Sequence, residues 1–215
     1  MKIIRYDIKK YPFREAVADC LNYSVEHLEE IHLHSERYER FTEHTDQDTS
    51  FHKVFYNNAN NEESSFTKLY KKFIRKEVSE QMGKDVVYQK YPTFRIHLPQ
   101  NLGVGGWHKD RDYNHGTSEV NFWLPVTKTW GTNTIWCESE EDKGDFKPIN
   151  LEYGQFLIFD GANLTHGNKV NETDSTRISF DFRIVKKDKF VSKKESTITN
   201  SNKLEIGDYF ENYPT

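Results

Sequence analysis

From Thr176 to Val185 hydrophobic and polar residues alternate almost without a break. Ile178, Phe180, Phe182 and Ile184 take one face of an extended chain, and Arg177, Ser179, Asp181 and Arg183 take the other. Such a segment can only be a strand whose apolar face is buried in a sheet. The polar face has two readings. An arginine and a hydroxyl on a strand ordinarily look to water; turned inward, they need partners, and a guanidinium fork matches a carboxylate.

Several shorter stretches share the period. Val86–Gln89 and Phe94–Leu98 alternate on either side of Pro92, with Phe94, Ile96 and Leu98 opposite Arg95 and His97. Glu119–Pro125 sets Asn121 and Trp123 against Val120, Phe122 and Leu124. Asn133–Glu138 is a further candidate strand, and Gln155–Asp160 is a nearly continuous apolar run opened by Gly154. No amphipathic crossover helix joins these strands, so the sheet is expected to be mainly antiparallel.

Helical spacing is confined to the first part of the chain. Ala18, Leu21, Val25, Leu28 and Ile31 predict a helix over 13 to about 34. Phe66, Leu69, Tyr70, Phe73, Ile74 and Val78 predict another over 65–82, with Gly83 at its C-terminal cap. Residues 35–63 read as polar loop with at most one short element. Residues 186–204 read as a loose tail, and Leu204–Phe210 regains apolar character and is expected to dock near a pocket mouth. The expectation is one domain over 1–215: helices in 13–83, a β core over about 86–185, and a tail at 186–215. That is a mainly β sandwich or barrel with helices on its outer face.

Composition removes several functions. A net charge of -4, from 30 Lys+Arg against 34 Asp+Glu in mixed order, leaves no basic stripe for nucleic acid. Two distant cysteines, Cys20 and Cys137, suit reduced thiols in the cytoplasm, the location expected here. No apolar run is long enough for a signal peptide or a bilayer span, so the sequons at Asn22, Asn163 and Asn171 are read as accidental. The 15 Phe, 12 Tyr and 4 Trp suit a β-rich core and an aromatic-walled pocket; Trp107, Trp123 and Trp136 are expected mostly in the core, with one of them a candidate for the pocket wall.

Chemistry enters with Gly105-Gly106-Trp107-His108-Lys109-Asp110. On an extended segment His108 and Asp110 leave the same face and can hold adjacent positions on a divalent metal. His-x-Asp is a cheap pattern, since His44 and Asp46 repeat it. His166, in a Gly- and Asn-rich turn after the Gln155–Asp160 strand, is the candidate third ligand; three ligands with open positions opposite suit non-haem Fe(II). Asp112, His115 and His97 lie near enough to compete. The carboxylate run 138–142 reads as a solvated loop at the rim of the site.

The order His108-x-Asp110, His166, Arg177-x-Ser179 within a β-rich region resembles the Fe(II)/2-oxoglutarate-dependent oxygenases. Trp107–Asp110, Asn121–Pro125, Gly154–Asp160, His166–Asn168 and Arg177–Asp181 are similar to the phytanoyl-CoA-dioxygenase-like branch, within it most like enzymes grouped with a streptomycin-biosynthesis protein. The resemblance covers about residues 88–185. It implies a double-stranded β-helix (a jelly-roll, cupin-like barrel) with His108, Asp110 and His166 as iron ligands. Arg177 and Ser179 would hold the distal carboxylate of 2-oxoglutarate. Asn121 would face the co-substrate, and Arg95 would bind co-substrate or an anionic substrate. The expected reaction is oxidation of a small molecule by O2, releasing succinate and CO2. A cupin-type metal-binding protein without oxygen chemistry and a protein side-chain hydroxylase are the competing readings.

Overall fold

A computed structural model describes residues 1–34, 49–103, 106–193 and 202–214. It begins with a strand that the sequence pattern did not announce, β1 (Lys2–Arg5). α1 (Phe13–Leu21) stops well short of the helix expected to run to residue 34. Asn22 adopts left-handed backbone, φ 53°, and its N–H turns back to the Ala18 and Asp19 carbonyls. The chain resumes as 3-10 turns over Val25–His34, which keep Leu28 and Ile31 buried, so the apolar stripe survives the break in the helix.

The expected loop before residue 63 contains α2 (Ser50–Ala59), capped by the Thr49 hydroxyl accepting from His52 N–H. The helix expected over 65–82 is present as α3 (Ser65–Phe73), a π turn (Ile74–Val78) and α4 (Ser79–Met82), closed at Gly83 with φ 77°. The extra residue of the π turn lets Phe73, Ile74 and Val78 all reach the core.

The remaining strands are β2 (Val86–Gln89), β3 (Thr93–His97), β4 (Val120–Pro125), β5 (Trp136–Cys137), β6 (Lys147–Pro148), β7 (Gln155–Phe159), β8 (His166–Gly167), β9 (Arg177–Lys186) and β10 (Phe210–Asn212), of which β2, β3, β4 and β9 follow the alternation closely. The strand expected over 133–138 shortens to the two residues of β5. β1, β7, β4, β9, β2 and β10 form one antiparallel sheet in that order, and β3 shares the edge of β9 with β2. β6, β5 and β8 form a second, smaller sheet.

β9 is the spine because it pairs with β4 on one side and with β3 and β2 on the other. Its apolar side, Ile178, Phe180, Phe182 and Ile184, packs with Phe122, Phe156 and Ile96 against Phe13, Phe66, Tyr70 and Phe73 of the helices. Phe180 meets Phe13 and Phe66 edge-on at ring separations of 4.9 and 5.3 Å. On the other face of the large sheet, Trp123, Leu157 and Phe159 pack against Ile135, Cys137 and Leu151. The molecule is therefore layered as helices, large sheet, small sheet: the expected double-stranded β-helix arrangement, with no closed barrel among the described residues.

The tail docks. β10 pairs with β2, and Leu204, Tyr209 and Phe210 pack on Val87 and Val185. Residues 194–201 of the expected loose stretch lie outside the described residues. Among those described, no helix is long and apolar enough to cross a membrane.

Candidate metal centre

His108 and His166 are brought together by the backbone itself. Each donates its N–H to the other's carbonyl at 3.0 Å, pairing the segment before the first ligand with β8. Asp110 departs from the extended reading: it opens a 3-10 turn, Asp110–Tyr113, anchored by its N–H on the Gly161 carbonyl at 2.9 Å. The shared face is reached all the same. Donor atoms of His108, Asp110 and His166 lie within 4.8 Å of one another, the single such group of three among the described residues.

The competing residues are occupied elsewhere. Asp112 accepts the Lys109 N–H at 3.0 Å and braces the turn. His115 is buried against Glu119 at 2.8 Å. His97 places Nε2 at 2.7 Å from the Asn101 carbonyl, and burial, with the charge of Arg177 beside it, pushes its pKa down to about 3. His44 and Asp46 lie outside the described residues.

The donor chemistry fits a divalent ion. His108 Nδ1 is 2.6 Å from the Gly106 carbonyl and His166 Nδ1 is 3.0 Å from the Leu164 carbonyl. A carbonyl only accepts, so each Nδ1 carries the proton and each Nε2 presents its lone pair inward. Asp110 Oδ1 stands 3.4 Å from His108 Nε2 and 3.6 Å from His166 Nε2. Burial lowers the His166 pKa, against the opposing pull of Asp110. Burial alone would raise the Asp110 pKa, but the Arg183 guanidinium holds it well below the usual carboxylate range.

The second oxygen of Asp110 is engaged. Oδ2 accepts from Asn121 Nδ2 at 2.7 Å and from Arg183 Nε at 2.9 Å and Nη2 at 2.8 Å. Asn121, expected to face the co-substrate, lines the cavity, and its amide N–H holds the Asp110 carboxylate. Arg183, left above as an ordinary polar-face residue, is the group sequence reasoning missed. The signal available was its place on β9, six residues from Arg177 on the same strand face.

A cavity of about 520 Å3, counted with its open mouth, is lined by the three donors, Arg95, Asn121, Trp123, Asn168, Arg177, Asp181 and Arg183. Arg177 is 1% exposed, so the solvated reading of that strand face fails here; its Nη1 donates to Asn168 Oδ1 at 2.7 Å. Ser179 Oγ and Asn121 Oδ1 are buried without a hydrogen-bond partner among the described residues. Such orphans call for a ligand that pairs them. Arg95 stands opposite Ser179 in the β3–β9 register. Trp123 walls the cavity, whereas Trp107 is 43% exposed, with its ring 4.4 Å from that of Phe146.

The carboxylate run is solvated over 139–142 as expected, and Glu138 is the exception. Glu138 is buried; burial raises its pKa, but the N–H groups of Thr165 and Gly144 outweigh this and bring it to about 2. Glu141 and Asp142 grip Lys109 at 3.2 and 2.6 Å, and Glu141 also takes Arg111 at 2.6 Å. The loop thus ties down the segment carrying His108 and Asp110.

No family model matches the chain. It is 35% identical over 209 residues to the streptomycin biosynthesis protein StrG of Streptomyces griseus, covering 97% of this chain and 96% of that protein. Among solved structures it is similar to a non-haem monooxygenase, the ThoJ–Ni complex: TM-score 0.52, 14% identity, 86% of this chain and 73% of the other. EvdMO1 is similar at TM-score 0.54 and 15% identity, over 85% of this chain and 47% of the other.

Proposed function

We propose that this chain, which belongs to the family of the streptomycin biosynthesis protein StrG, is an Fe(II)/2-oxoglutarate-dependent oxygenase of the phytanoyl-CoA-dioxygenase-like branch and oxidises a small molecule with release of succinate and CO2. The observation that carries this reading is the convergence on one cavity of a His-Asp-His donor set and a buried arginine with an unpartnered hydroxyl beside it.

His108 and His166 would hold Fe(II) through Nε2 and Asp110 through Oδ1. Arg177 would receive the distal carboxylate of 2-oxoglutarate, with Ser179 Oγ donating the hydrogen bond it lacks. Bound iron would supply activation of O2, coupled to oxidative decarboxylation of the oxo acid. The protein's part is to hold both carboxylates still and to keep the sheet interior dry. Arg95 lines the cavity, which suits an anionic group on substrate or co-substrate. The name of StrG ties that relative to the making of streptomycin, and a metabolite rather than a protein side chain is the substrate class proposed.

The test is succinate formation from 2-oxoglutarate with Fe(II) and ascorbate, using mass spectrometry of a metabolite extract to find the consumed substrate. His108→Ala should abolish turnover. Arg177→Ala should still bind metal by calorimetry but lose metal-dependent binding of 2-oxoglutarate. Metal binding indifferent to the oxo acid in the wild type would instead support the cupin-type reading.

A further inference from the structure

Asp110 has two oxygens and the structure treats them differently. Oδ1 faces the imidazoles, while Oδ2 receives three donors from Asn121 and Arg183. Arg183 is itself held at its far end: Nη1 donates to Tyr209 Oη at 3.0 Å and to Gln89 Oε1 at 3.5 Å, with Asp181 at 3.7 Å. Tyr209 comes from the C-terminal segment, immediately before β10. Its carbonyl accepts the Lys90 N–H at 2.8 Å, its ring lies 5.6 Å from that of His115, and it is 6% exposed.

We propose that the docked C-terminal segment is part of the metal site: Tyr209 orients Arg183, and Arg183 with Asn121 commits Asp110 Oδ2, leaving Oδ1 alone for the ion. The inference rests on the His108–Asp110–His166 reading above. A carboxylate with both oxygens free can chelate and take a second position on a metal. An oxo acid that binds through two atoms needs that position, as does O2. Committing Oδ2 keeps it open. The planar fork of Arg183 is suited to the task because Nε and Nη2 meet one oxygen while Nη1 reaches Tyr209; a lysine ammonium cannot span both. Tyr209 and Arg183 are positioning residues, since neither touches the ion.

Co(II) is the probe, titrated into full-length protein by calorimetry and by its visible ligand-field bands. Arg183→Lys should weaken Co(II) binding on the order of 10- to 100-fold and change the intensity of those bands as Asp110 becomes free to chelate. Tyr209→Phe, which removes only the acceptor, should weaken binding severalfold. Tyr88→Phe is the control. It removes the 2.6 Å bond from Tyr88 Oη to Glu211, which joins the same two strands without reaching Arg183, and it should bind Co(II) as the wild type does. Wild-type affinity and bands in Tyr209→Phe and Arg183→Lys would overturn the proposal, and so would equal weakening in Tyr88→Phe and Tyr209→Phe. Failure of the wild type itself to bind Co(II) would overturn the triad reading and this one with it.

Discussion

Gly161 shows how little room the carboxylate has. A Cβ there would meet the Asn121 amide at 2.7–2.9 Å, closer than real Cβ contacts come, and the Gly161 carbonyl also anchors Asp110 N–H. Gly161→Ala should therefore push Asn121 off Asp110 and weaken metal binding on the order of tenfold by titration. Gly106→Ala, where the new Cβ meets nothing within 4 Å, should bind metal normally. At this scale the sequence was informative about which residues carry chemistry and nearly silent about their partners. His108, Asp110, His166 and Arg177 stand out by type and spacing. Arg183 does not, because an arginine on the polar face of a strand reads the same whether it meets water or Asp110. Only the register that sets Arg183 opposite Asn121 distinguishes the two.

Elements were legible where periodicity was strong. β4 and β9 lie within a residue or two of their alternating stretches because burial of one face leaves no other register, and β7 lies within a residue of its apolar run. The helix expected to continue to residue 34 broke at Asn22 because an apolar stripe at three- and four-residue spacing is compatible with α-helix and with 3-10 turns alike. β1 escaped notice because only Ile4 of its four residues is even half-buried, and two-residue strands such as β5 and β8 have no period to detect. β8 matters despite its size. It carries His166, and Glu138 steadies the approach by accepting Thr165 N–H at 2.6 Å. Glu138→Ala should cost about 2 kcal/mol in chemical denaturation, the scale of a hydrogen bond to a charged group. It should also lower metal affinity, because the residue before His166 loses its anchor.

For the whole molecule, acid should be the vulnerable direction. Burial holds His52 and His97 neutral, each with a pKa lowered to about 3, whereas in the unfolded chain both titrate near 6.5. The unfolded state therefore takes up the protons first. Stability is full above pH 6.5 and should fall by about 1.4 kcal/mol per pH unit for each histidine below it, down to about pH 3. Glu138, at about 2 when folded, adds a further loss between roughly pH 4.5 and 2. Urea denaturation at a series of pH values checks this, and His52→Gln should reduce the slope between pH 6.5 and 4 by about half if the two histidines dominate it. A bound divalent ion should work the other way, raising stability by about 2.7 kcal/mol at a hundredfold excess over its Kd, an increment that a chelator removes. Where that energy acts follows from the layering. His166 belongs to the small sheet, while Asp110 is moored through Asn121 and Arg183 to β4 and β9 of the large one. An ion joining them is a rivet across the seam. Without it, the amides of β5 and β8 should exchange with deuterium by a local peeling of the small sheet. With it, they should exchange only when the entire molecule opens.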